Sequence, residues 1–100
     1  MATPSEDKIL TLHPEGKAGV NIDRAKYETV KAAILAVIDK QGVVTFQALT
    51  TAVGERLEGR FDGSIGWYVT TVKLDMEARQ IIERVPKATP QTLRRVESST

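Results

Sequence analysis

From Tyr27 onward, apolar side chains at Val30, Ile34, Val37 and Ile38 recur at three- and four-residue intervals, one continuous stripe of a helix. A half-buried strand would alternate every second residue instead. Asp23 stands where an N-cap belongs and Gly42 where a C-terminal cap belongs, so the pattern predicts a helix over Arg24–Gln41. The same periodicity returns twice. Phe46, Leu49, Val53 and Leu57 follow Thr45, a capping residue, and Gly59 ends that second helix despite the weakening Gly54 inside it. After the turn Arg60–Gly63, with Asp62 or Ser64 as cap, Ile65, Val69, Val72 and Met76 form a third stripe.

The third helix differs from the others. Trp67, Leu74 and Ala78 fall opposite its stripe, giving it two apolar faces, with Gly66, Thr70, Lys73 and Glu77 on the remaining flank. Past Gln80 the period becomes extended: Ile81–Val85, a loop Pro86–Pro90 that forbids helix, and a return strand Thr92–Val96. Val43-Val44 is a short extended link. The expected fold class is therefore mainly α with a small antiparallel β wing, a winged helix-turn-helix-like three-helix core. Residues 1–22 read as an N-terminal arm, short extended pieces around a His13–Gly16 turn. Residues 23–96 read as the winged-helix domain and 97–100 as a polar tail.

The stretches Phe61–Val69, Val72–Arg79 and Pro90–Arg94 resemble a small bacterial family with no assigned activity, a likeness that covers roughly residues 9–96. The resemblance implies the winged-helix architecture more firmly than any function. One departure stands out. Winged helices often place glycine before the wing strand, whereas this chain has Gln80, so the turn there needs another backbone solution or begins elsewhere.

At 100 residues the chain holds one modest core, and 41% hydrophobic residues suit a folded domain. Zero cysteines exclude disulfide scaffolds and thiolate chemistry. The longest apolar run, Ala32–Ile38, is far short of a membrane span, and no leader-like stretch opens the chain, so a cytoplasmic location without membrane contact is expected. Residues for catalysis are missing. His13 is the single histidine and sits in a turn; Asp75 and Glu77 diverge on their helix; Asp62-Gly63-Ser64 has no histidine partner; Gly63 and Gly66 make no phosphate loop. No enzyme activity, cofactor or metal is expected.

Charge divides along the chain. Residues 1–77 carry nine Lys/Arg against eleven Asp/Glu, a net of −2, and residues 78–96 carry five against one, a net of +4. Two functions compete for this scaffold. Arg84, Lys87, Arg94 and Arg95 on the wing, with Lys73 on the third helix, are candidate contacts to a duplex DNA backbone. Asp75 and Glu77 would oppose entry of that helix into the groove. The alternative is a protein–protein or dimerisation module using Trp67, Leu74 and Ala78, with a second copy or another protein as partner. Trp67 is expected to be largely buried, beneath the arm in cis or in trans, or across a subunit interface.

Overall fold

A computed structural model describes residues 8–96; residues 1–7 of the expected N-terminal arm and the expected polar tail, 97–100, lie outside them. Within the described span the order is β1 (Lys8–Leu10), β2 (Asn21–Asp23), α1 (Arg24–Gln41), β3 (Val43–Thr45), α2 (Phe46–Leu57), α3 (Ile65–Ala78), β4 (Ile82–Arg84) and β5 (Thr92–Arg95).

Each helix starts where its capping residue takes up an orphan amide. Asp23 Oδ1 accepts from Ala25 N at 2.9 Å, Thr45 Oγ1 from Ala48 N at 3.1 Å, and Ser64 Oγ from Trp67 N at 3.3 Å. Ser64, not Asp62, therefore caps α3. Gly42 closes α1 with φ +81° and donates its N–H to Ile38 O at 2.7 Å.

The three stripes meet. Each helix packs against the other two, and Ile34, Leu49, Val72 and Met76 are all fully enclosed in one cluster. Ile82 and Leu93 close the cluster from the sheet side. The Val43-Val44 link is more than a connector. As β3 it pairs antiparallel with β5 (Val44 opposite Leu93), and β5 pairs with β4, so the expected two-stranded hairpin is a three-stranded sheet of order β3-β5-β4. The result is mainly helical with a small antiparallel sheet, a winged-helix-like architecture. The arm forms a second sheet, β1 and β2 pairing with Ile9 opposite Ile22.

The missing glycine before the wing is explained by Gln80, which adopts φ +63° itself. Around it Ile81 N donates to Met76 O at 2.9 Å and Gln80 N to Glu77 O at 3.0 Å, the paired bonds of a Schellman cap. An L residue in that conformation costs about 1–2 kcal/mol. Gln80→Gly removes the strain and returns only part of the gain as chain entropy, ~0.5–1 kcal/mol. The variant is expected to melt higher by about 4 °C, within the range for ~1 kcal/mol in a domain of this size. A melting temperature equal to or below that of the parent chain refutes this account.

Candidate interaction face of the third helix

The inward stripe of α3 is Val69, Val72 and Met76, all fully enclosed. Its opposite side is partly open: Leu74 and Ala78 are half-buried, and Trp67 is 46% exposed. The arm of the same chain therefore covers Trp67 only in part, which corrects the expectation of full cover in cis. The arm does lie along α3, but its hydrogen bonds there are to Asp75 and Arg79, two or more turns beyond the tryptophan. Trp67 stands edge-on to Tyr68 with ring centroids 5.0 Å apart, and Tyr68 is edge-on to Phe61 at the same separation.

Asp75 fixes the arm. Its carboxylate is fully enclosed, and Oδ1 accepts the backbone N–H of Leu12 at 2.9 Å, while Oδ2 accepts the Tyr27 hydroxyl. Arg79 Nε, one turn on, sits 2.9 Å from both oxygens, and its Nη2 reaches Leu10 O at 3.5 Å. A buried carboxylate is tolerated because donors surround it. Burial first, and then the bond to Asp75, hold the Tyr27 hydroxyl protonated well above the usual tyrosine range. Asp75 also lifts the already high pKa of Arg79 by accepting its hydrogen bond. Hydrogen-bonding capacity here is spent on joining α1, α3 and the arm.

Lys73 is likewise turned inward. Its side chain is 4% exposed, its Nζ lies 2.7 Å from Glu77 Oε2 and 2.9 Å from Gln91 Oε1, and it stands 5.1 Å from the centroid of the Phe46 ring. Lys73, the α3 residue read as a DNA contact, therefore bridges α3 and the β4–β5 loop. Asp75 and Glu77, expected to repel phosphates from the surface, are both withdrawn from it. On the wing, Arg84 Nε pairs with Glu77 Oε1 at 3.1 Å, Arg94 Nε with Glu83 Oε2 at 2.7 Å, and Arg95 Nη1 with Asp39 Oδ2 at 2.8 Å. Lys87 is exposed in the loop. The structure brings Trp67, Leu74 and the arm together and pairs Lys73, Arg84, Arg94 and Arg95 with carboxylates.

Among the described residues, five large apolar side chains are exposed, and four of them, Leu10, Leu12, Val20 and Trp67, belong to the arm or to α3. Between them runs a cleft of about 170 Å³ walled by Leu12, Val20, Trp67, Thr71 and Leu74. A cavity of ~150 Å³ takes a benzene ring, so this cleft is large enough for one aromatic side chain. The sequence flagged Trp67, Leu74 and Ala78 but not Gly19, whose backbone packs so closely on Thr11 that a Cβ would lie 1.6 Å from Thr11 O. Only glycine allows the arm to close there.

No helix among the described residues is long and apolar enough to cross a membrane. Residues 8–93 match the model of a family described as a family of unknown function (DUF6958). No curated protein matches the chain.

Proposed function

The chain belongs to the family of unknown function DUF6958, and for it we propose the role of an interaction module: a winged-helix-like scaffold that self-associates through the arm and α3 rather than binding DNA through its wing. The observation that carries this reading is the half-exposed Trp67 beside a cleft that fits an aromatic ring. Knob and cleft lie on one surface, so two copies related by a two-fold axis fill each other's cleft reciprocally. A net charge of +1, with the wing arginines already paired, leaves little repulsion between copies.

The patch is small, so the dimer is expected to be weak, with Kd in the ~10–100 μM range. Sedimentation velocity from ~1 μM to ~1 mM measures it. Trp67→Ala removes the anchor and is expected to weaken association by roughly 30-fold or more, as loss of a ~2 kcal/mol hot spot does. A chain monomeric across the range, or a Trp67→Ala variant that associates like the parent, overturns the reading. The competing DNA reading has its own outcome. Duplex affinity within the ~10⁻⁴–10⁻⁶ M range of non-specific binders, falling with salt at a log–log slope of about −3 to −4, would favour wing contacts. The paired state of Arg84, Arg94 and Arg95 supports the expectation of weaker binding than that, because a phosphate contact by any of these three competes with a carboxylate.

A further inference from the structure

The arm is anchored unevenly. Its base is held by apolar packing: Ile22 is buried in the main cluster, and Ile9, opposite it, packs against that cluster. Its tip, residues 11–20, is held differently. Thr11 and Val20 bond each other, Thr11 N to Val20 O at 2.9 Å and Val20 N to Thr11 Oγ1 at 3.0 Å, which closes the tip on itself. What fastens the tip to α3 is the Leu12 amide on Asp75, while Leu12 and Val20 themselves stay 42% and 41% exposed.

From this we infer that the tip is a hinged flap latched by Asp75, and that only its latched form presents a docking cleft. This rests on the self-association reading above. Swinging the tip away uncovers the buried Thr11 and the covered parts of Leu12 and Val20 but no residue of the main apolar cluster, so the core stays closed. Two further features support the hinge. Opening leaves the Asp75 carboxylate with Tyr27 and Arg79, so the buried charge keeps its partners. The released Leu12 amide finds water. Core residues have no such exit, because exposing Val72 or Met76 requires the helices to part.

The cleft, by contrast, needs the latch. Leu12 and Val20 form one wall and Trp67, Thr71 and Leu74 the other, so an open tip leaves α3 with a flat face. A second copy that binds the closed form draws the population towards it, and closure and association favour each other. Asp75 thus acts on docking through the tip it holds, as a positioning residue.

Hydrogen exchange on the intact chain tests the flap directly. In dilute solution the amide of Leu12, freed when the latch opens, is expected to exchange at least tenfold faster than those of Val72 and Met76. Raising the concentration into the associating range should slow it in the parent chain. It should not do so in Trp67→Ala, where the tip still opens. Gly19→Ala, whose added carbon forces the Thr11 rung apart, should keep cooperative unfolding of the helical core and lose association at least tenfold. A Leu12 amide as slow as those of the core, or undiminished association of Gly19→Ala, would overturn the latch. Tip amides that open locally in a chain monomeric at every concentration would instead overturn the dimer, and with it the gating role. Should Gly19→Ala not fold, exchange in the parent chain alone decides.

Discussion

Asp75→Ala is expected to lower the unfolding free energy by about 3–5 kcal/mol, the cost of breaking a buried ionic cluster by removing one member. Three donors lose their acceptor together: the Leu12 amide, the Tyr27 hydroxyl and Arg79 Nε. Arg79 can turn to water, since its side chain is 36% exposed, but the fully enclosed Tyr27 side chain cannot follow. An unsatisfied buried hydroxyl alone costs roughly 1–3 kcal/mol. Against the ~5–15 kcal/mol of a whole domain this is a large share, and urea unfolding resolves it easily. Asp75→Asn keeps the volume and one acceptor oxygen and is expected to fall between parent and alanine variant. A loss below about 1 kcal/mol for Asp75→Ala would show that the cluster is not what joins arm, α1 and α3.

The helices were legible because their signals are local and redundant. Asp23, Thr45 and Ser64 mark the starts, Gly42 and Gly59 the ends, and the stripes between them repeat without interruption. β3 was legible only as an extended link, because its partner β5 lies some fifty residues away and a three-residue strand carries no period of its own. The polar residues of α3 were harder. Lys73 follows Val69 by four residues and Asp75 follows Val72 by three, so both flank the buried stripe and can turn inward. That spacing was the available signal. What it could not supply was the identity of the partners, since Tyr27, Leu12 and Gln91 come from three distant segments. The wing arginines were readable as charge but not as pairs, for the same reason: Asp39, which binds Arg95, lies in α1. The second apolar face was seen, but its degree of cover depends on where the arm stops, and that is set by Asp75 and Gly19.

The two faces of α3 are separated most sharply by truncating one residue from each. Met76 is fully enclosed in the stripe facing α1 and α2, and its carbonyl also accepts the Ile81 amide at the helix end. Met76→Ala leaves a cavity in the centre of a small core and is expected to destabilise the chain by about 2–5 kcal/mol. Trp67 is the larger side chain, and area alone would predict the larger loss. Its exposure reverses that order. With nearly half its surface in water and one edge-on neighbour in Tyr68, Trp67→Ala should cost only about 1 kcal/mol in the monomer, close to the worth of an aromatic pair. In association the order is expected to invert again, because Met76 is fully enclosed within the chain whereas Trp67 is accessible to a second copy. Urea unfolding of dilute protein and sedimentation of concentrated protein, run on both variants, separate folding from docking. A Trp67→Ala chain as unstable as Met76→Ala would place the tryptophan in the folding core and remove the physical basis for an interaction face on α3.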